Sequence, residues 1–261
     1  MTEKNIDGLR LMTSEKITVR HAFTTRYGGV SQGIYESLNL HAGLSDDPAA
    51  VAENYARVSR ALALTGAIAK TRQVHGDHVR FVTSDEARAA VGDTLAFDET
   101  DALVTDAENL ALFVFTADCV PVLLHDPMRG IVGAVHSGWR GTALDIVSRT
   151  VETMSAHGAR AENISAAVGP SIGTCCFETD ADVPEAMRAL PGIDADAFIE
   201  TRGAKFHVDL RGIIRARFLL LGIASENIDL SEECTVCNSD KYWSHRKSPG
   251  KRGAQAAVIA L

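Results

Sequence analysis

Three segments share one design, an apolar run that ends in a side chain able to ligate a metal. They are Gln73-Val74-His75-Gly76, Thr116-Ala117-Asp118-Cys119, and Ala134-Val135-His136-Ser137-Gly138-Trp139-Arg140-Gly141. Imidazole and thiolate suit Zn²⁺, and three protein ligands leave a fourth position for water or substrate. A site of that kind generates a nucleophilic hydroxide near neutral pH. A copper ion would accept the same set of two histidines and a cysteine. The ligands lie much farther apart than those of a zinc finger, so spacing contributes little. Each also has an ordinary explanation taken singly: a free cysteine buries readily as a small apolar group, and a loop histidine usually only hydrogen-bonds. What sets the three apart is position. All end strands beside small residues or glycine, where backbone can approach a ligand closely.

Other reactive groups carry weaker patterns. His78 follows His75 by one turn and reads either as a support for the metal ligand or as a solvent-exposed residue. His21, His41, His125, His157 and His207 have no spacing that asks for a metal. Cys234 and Cys237 form a lone Cys-x-x-Cys without a second pair at zinc-ribbon spacing. Cys175 and Cys176 are adjacent and do not easily chelate one ion together, so these four read as structural or incidental thiols. Thr25-Arg26-Tyr27-Gly28-Gly29-Val30-Ser31 is a glycine turn that could offer N–H groups and a guanidinium fork to an oxyanion, or be a plain turn with a surface arginine. Gly169-Pro170-Ser171-Ile172-Gly173 has no lysine and is no P-loop; it reads as a tight structural or substrate-lining loop.

The elements that must position these groups are short. Val51, Tyr55, Val58 and Leu62 fall at helical spacing, with Asp46 or Asp47 as cap, Pro48 in the first turn and Gly66 beyond the end. Leu144, Val147, Val151 and Met154 make a second helical face closed by Gly158. Ile214, Phe218 and Leu221 make a third, closed by Gly222. Strands are expected near residues 17–23, 79–82, 110–116, 120–125, 130–136, 164–168, 205–208 and 256–260. Turns such as Asp126-Pro127-Met128-Arg129-Gly130 are too short for crossover helices. The expectation is a mixed α/β (α+β) single domain over residues 1–261, with a largely antiparallel sheet flanked by helices. Residues 1–16 are expected as a loosely ordered N-terminal segment.

Composition bounds the function. With 46% hydrophobic and 23% charged residues the chain has enough apolar mass for a core. A formal net charge of −8 argues against nucleic-acid or anionic-membrane partners, which demand a basic face. No run approaches a membrane span and no secretory signal is visible. Five cysteines are too few and odd for a disulfide framework. The reading is a cytoplasmic protein with reduced thiols.

Together the segments resemble the YfiH family, also called the polyphenol oxidoreductase laccase or peptidoglycan editing factor family. The likeness runs from about His21 to the C-terminus. Besides the three ligand segments it includes Thr24 through Ser31, Ser37-Leu38-Asn39-Leu40, Val120-Pro121, Gly169 through Gly173, and Ser244-His245-Arg246. It implies zinc on His75, Cys119 and His136, and phosphorolysis of adenosine, inosine and methylthioadenosine together with deamination of adenosine to inosine. Arg26 would bind phosphate, Asn39 would lie near the pocket, and Arg140, Ser244 and Arg246 would join the substrate set. A zinc deaminase also needs a proton carrier, for which Asp118 and His78 are candidates. Two departures stand near the end. Relatives often read Ser-Tyr-Arg-Arg where this chain has Ser244-His245-Arg246-Lys247. A Gly-Arg-Gln motif appears as Gly253-Ala254-Gln255, with Arg252 nearby. The family's labels leave two further enzymatic readings: a copper-dependent phenol oxidase, which nine histidines without a His-x-His pair support poorly, and an editing hydrolase for cell-wall precursors with Cys119 as nucleophile beside His136. A non-enzymatic zinc-binding module is the remaining alternative.

Overall fold

Leu110–Thr116, Val120–Asp126, Ile131–Ser137 and Gln255–Ala260 are buried along their whole lengths. A strand with no solvent face must lie between two covering layers, and the computed structural model, which describes residues 1–261, shows how that is arranged. The expected single sheet is two mixed sheets stacked face to face, plus a third of three short strands in the order Glu178–Thr179, Lys205–Val208 and Ile199–Arg202. The first holds seven strands in the order Thr2–Ile6, Leu9–Thr13, Arg20–Thr24, Gln255–Ala260, Leu110–Thr116, Ala67–Arg72 and Thr94–Asp98. The second holds six, in the order Ile228–Leu230, Ser165–Val168, Val120–Asp126, Ile131–Ser137, Ala102–Thr105 and Val79–Val82. Most pairs are antiparallel; Ala67–Arg72 runs parallel to both its neighbours, as do Val79–Val82 to Ala102–Thr105 and Ser165–Val168 to Ile228–Leu230.

Alternation along the strands assigns the layers. Leu112, Val114, Ala257 and Ile259 point inward and meet Leu103, Leu123, Val132 and Ala134 of the facing sheet. Their sequence neighbours Phe113, Phe115, Ala256 and Val258 face outward and are covered by Val58 and Leu62 of the first helical region and by Leu38 and Leu40. On the far side, Val122, Leu124 and Val135 pack against Val147, Val151, Met154, Ile214 and Phe218. The result is a mixed α/β domain of helix, sheet, sheet and helices.

The helices start where their caps allow. Pro48–Ala61 begins at Asp47, whose side chain accepts from the Ala49 N–H, with Pro48 at the first position. Leu210–Leu220 begins at Asp209, which accepts from the Gly212 N–H. Ile146–Ala156 gives way to Gly158 at φ +101°, a conformation glycine adopts freely.

Residues 1–16 correct the expectation of loose order. Thr2–Ile6 and Leu9–Thr13 form an antiparallel hairpin on the edge of the larger sheet. Its two-residue Asp7-Gly8 turn has both φ values positive, the geometry that matches strand twist. The polar first strand hides the hairpin in sequence; its partner is anchored by Leu9 and Leu11, both buried.

Candidate metal centre and active site

The ligands converge at the seam between the sheets. The chain leaves the larger sheet at Thr116 and enters the smaller one at Val120, which puts Cys119 in the crossing turn. His136 lies one residue from the end of the adjacent strand, opposite Pro121 in the register. His75 follows Ala67–Arg72. There Gln73 acts as a side-chain extension of the ladder: its Nε2 donates to the Phe115 carbonyl at 2.8 Å and its Oε1 accepts from the Phe115 N–H at 2.7 Å. The ligand atoms of His75, Cys119 and His136 all lie within 4.8 Å of one another. The two rings stand nearly perpendicular, 83° apart.

Asp101 holds this arrangement, and sequence reasoning missed it. It is fully buried at the start of Ala102–Thr105. Its Oδ1 accepts from His136 Nδ1 at 2.7 Å and from the His75 N–H at 3.0 Å. Its Oδ2 accepts from the N–H groups of Val74 and Gly76, both at 3.0 Å. One carboxylate therefore positions both histidines, and by accepting from Nδ1–H it leaves His136 Nε2 for the cluster. Burial alone would raise the Asp101 carboxyl, but His136 and the N–H groups outweigh it and hold it below its ordinary value. A lone acid before a short apolar strand gives no pattern that would have singled it out.

The electrostatics suit a thiolate. Burial opposes ionisation of Cys119, but the charge and hydrogen bonds of His136, with those of His75, bring the thiol down to about 6. Burial opposes the His136 imidazolium too, while Cys119 and Asp101 raise it to about 9. The ligands also have room. A Cβ on Gly138 would stand 2.8 Å from His75 Cδ2 and 3.1 Å from Cys119 Sγ, so only glycine leaves the space clear. Two imidazoles and one thiolate, oriented from behind by a carboxylate, fit a tetrahedral metal with an open position.

The cluster opens into a cavity of about 360 Å³, within the range of small-molecule sites. Phe115, Trp139, Phe177, Ile172 and Leu210 supply apolar walls, and His41, His245, Arg246 and Arg252 bring basic side chains to it. Asp118 lines the same cavity, but both its oxygens are engaged: Oδ1 accepts from Thr235 Oγ1 and Oδ2 from the Arg246 N–H, each at 2.6 Å. Those bonds, with the Ile172 N–H on its carbonyl, hold Asp118 at φ +97°. A non-glycine residue there costs about 1–3 kcal/mol.

Other expected site residues lie elsewhere. Arg26 does not line the cavity: its guanidinium stacks 4.1 Å from the Trp243 ring and donates to the carbonyls of Ser239 and Glu36. The glycine turn is real, but its arginine is spent on a protein contact invisible to local sequence. Asn39 is buried and accepts from the N–H groups of His41 and Ala254, which fixes the C-terminal segment. Arg140 is exposed over Trp139, Ser244 is buried and accepts from the Lys247 N–H, and His78 hydrogen-bonds Thr100 outside the cavity wall. Arg246 does reach the cavity. So does Arg252, which the altered C-terminal motif only hinted at; burial lowers its pKa, against the pull of Asp118 and Cys119.

Known proteins share this arrangement of chain. The purine nucleoside phosphorylase of Deinococcus radiodurans is 41% identical over 255 residues, 97% of this chain and 94% of that protein. The purine nucleoside phosphorylase YlmD of Bacillus subtilis is 34% identical over 243 residues, 92% of this chain and 87% of its own. The crystal structure of the Bacillus licheniformis hypothetical protein YfiH superposes with a TM-score of 0.90 at 32% identity, covering 99% of this chain and 98% of that one. YlmD from Geobacillus stearothermophilus gives 0.85 at 31% identity, covering 97% and 96%. Residues 20–261 match the multi-copper polyphenol oxidoreductase laccase family, the one its motifs resemble, and the chain belongs to it.

Proposed function

We propose that the protein is a zinc-dependent purine nucleoside phosphorylase that cleaves adenosine, inosine and methylthioadenosine and also deaminates adenosine to inosine. The observation that carries this reading is a single cavity bounded by His75, Cys119 and His136, by aromatic walls, and by basic side chains. The names of the relatives support the nucleoside. Held by those three ligands, zinc would supply Lewis acidity and a lowered pKa for water.

The chain's own residues divide the rest of the work. Phe115 and Trp139 offer faces for a purine. Arg252, whose Nε is buried without a partner, offers charge for a phosphate dianion, with the Arg246 guanidinium held on the Cys176 and Glu178 carbonyls along the same wall, and one phosphate oxygen would bond the sugar C1′ as the glycosidic C–N bond breaks. The enclosing walls strengthen that electrostatic stabilisation by displacing water. Deamination requires a proton at the departing nitrogen. With both Asp118 oxygens engaged, His245 is the wall residue we assign to that transfer.

The test is incubation of adenosine with and without phosphate, resolving adenine, inosine and hypoxanthine. We expect adenine only with phosphate, inosine without it, and loss of both on chelation. Products that persist after complete metal removal would refute the zinc dependence. The thiolate–imidazolium pair of Cys119 and His136 also favours a second reading, a cysteine hydrolase acting on cell-wall precursors; a covalent Cys119 adduct in zinc-loaded enzyme would move it to the front. A multi-copper oxidase is unsupported, because the remaining ligand cluster is all cysteine and no further histidine cluster exists for a second copper centre.

A further inference from the structure

Four of the five cysteines lie outside the site just described, and the fold gathers them. Sequence alone read them as incidental thiols, because two are adjacent and the others form an isolated pair. Yet the sulfurs of Cys175, Cys176, Cys234 and Cys237 all lie within 4.8 Å of one another. Cys237 Sγ is 3.6 Å from Cys175 Sγ and 3.5 Å from Cys176 Sγ. A disulfide requires about 2.05 Å. Four thiolates around one tetrahedral Zn²⁺, at about 2.3 Å each, stand roughly 3.8 Å apart. The measured separations sit near the second value, and the 4.8 Å span has room for one ion but not for a cluster with bridging sulfides.

Local structure explains how adjacent cysteines converge. The N–H groups of Cys176 and Phe177 both donate to the Gly173 carbonyl at 2.9 Å, closing a tight turn that aims both side chains to one side. A Cβ on Gly173 would crowd Cys175 Sγ and the Cys234 Cβ, both at 3.3 Å. The second segment is docked alongside by a parallel bridge between Ser171 and Cys234 and by the Thr235 N–H on the Ser171 carbonyl at 3.0 Å. The Gly173 N–H donates to Cys234 Sγ at 3.3 Å, and those of Val236 and Cys237 turn toward the same sulfur. Backbone donors on sulfur stabilise a thiolate. The guanidinium of Arg246 is bound to the Cys176 carbonyl at 3.0 Å and that of Arg211 to the carbonyls of Ser231 and Glu233, so each cysteine segment carries a cation on its backbone.

We propose that Cys175, Cys176, Cys234 and Cys237 form a second metal site that holds one Zn²⁺ as a tetrathiolate. Its task is positional. The first segment carries Ile172 and Phe177 into the cavity wall, and the second carries Thr235, which holds Asp118 beside Cys119. One ion on the four sulfurs clamps both walls.

The test counts metal and needs no activity. Full-length protein is produced in zinc-supplemented medium, purified with a reductant and without chelator, and measured for zinc per chain by elemental analysis and native mass spectrometry. The wild type should carry two zinc ions. His75→Ala and Cys237→Ser should each carry one, and the double variant none. Cys237 is exposed, so serine leaves the fold intact, and Cys175→Ser provides an independent check. In the His75→Ala protein, Co²⁺ substituted for Zn²⁺ should give the strong visible bands and sulfur charge transfer of a tetrahedral tetrathiolate. A wild type with one zinc ion that His75→Ala abolishes would overturn the proposal. So would a Cys237→Ser protein that keeps two, iron in place of zinc, or an intact mass lower by two hydrogens per cysteine pair, which marks disulfides instead.

Discussion

Replacing Asp101 by asparagine tests the organisation of the candidate centre with almost no change of volume. The carboxylate accepts four hydrogen bonds, two on each oxygen. Asparagine keeps one oxygen and must turn an NH₂ toward the other pair. If the NH₂ faces the N–H groups of Val74 and Gly76, two part-buried donors lose their acceptor, at no more than about 1–3 kcal/mol each. If it faces His136 and the His75 N–H, one backbone donor is orphaned and His136 must adopt the other tautomer, with its proton on the nitrogen that points to Cys119. The second arrangement costs the fold less and damages the metal site more. Metal-free Asp101→Asn should therefore lose roughly 1–3 kcal/mol of stability. Zinc affinity should fall by about 10–100-fold. Urea denaturation of the metal-free protein gives the first number, and competition with a chromogenic chelator gives the second. A variant that binds zinc as tightly as wild type while losing the expected stability would refute the reasoning. Asp101 would then tie residues 74–76 to the sheet without orienting a ligand.

Four further outcomes follow from the geometry. Gly138→Ala puts a methyl group against His75 and Cys119, and should weaken zinc binding at least tenfold while the metal-free protein keeps wild-type urea stability. Arg252→Ala should raise the KM for phosphate at least tenfold with a smaller change in the KM for nucleoside. Arg26→Ala should instead lower stability by about 1–3 kcal/mol and leave the phosphate KM near wild type, as steady-state kinetics with each substrate varied would report. His21 accepts from the Ser14 N–H and bonds the Val19 carbonyl, so it is built in as the neutral ring, and burial lowers its pKa. Below about pH 6.5 the unfolded chain binds the proton and the folded one does not, so stability should fall with acid at up to about 1.4 kcal/mol per pH unit. His21→Ala should show a shallower fall between about pH 7 and pH 5 in urea titrations; an unchanged slope would remove His21 from the account.

How much of this was legible depends on the range of each interaction. His136 could be read because it sits at the end of an apolar strand, whereas Cys119 lies in the turn between two strands and His75 in the loop after Ala67–Arg72; their small and glycine neighbours and the family resemblance, not the strand period, singled those two out. The helix of residues 48–61 announces itself through Asp47 and Pro48, and that of residues 210–220 through the spacing of Ile214 and Phe218 ahead of Gly222, while its Asp209 cap went unread. Two stacked sheets could not be read, since a strand buried on both faces looks the same under a helix or under another sheet. The fate of Arg26 depends on Trp243 and Ser239, more than two hundred residues away, and the turn around it is equally compatible with an oxyanion. The cysteines mislead for the same reason. Adjacent thiols diverge in an extended chain, and only the Gly173 turn brings Cys175 and Cys176 to one point.

The parts of the site rest on different foundations. His136 and Asp101 lie on or beside strands of the smaller sheet, and Gln73 ties the His75 loop to Phe115 of the larger one. The ligand geometry therefore inherits the stability of the core, and opening it means parting two sheets packed through Leu112, Val114, Leu123 and Ala134. The basic wall is tied to the same core by a different route. His245, Arg246 and Arg252 come from the irregular segment between Ile228–Leu230 and Gln255–Ala260, anchored by Tyr242 in the core between the sheets, by Trp243 on the Leu38 carbonyl, by Asp118, and by Asn39 on the Ala254 N–H. Local opening draws on elements with few buried apolar contacts, and the buried rings of Tyr242 and Trp243 keep this segment from being one of them. The site is therefore held from both sides, its floor by the strands of the two sheets and its basic wall by buried aromatic anchors.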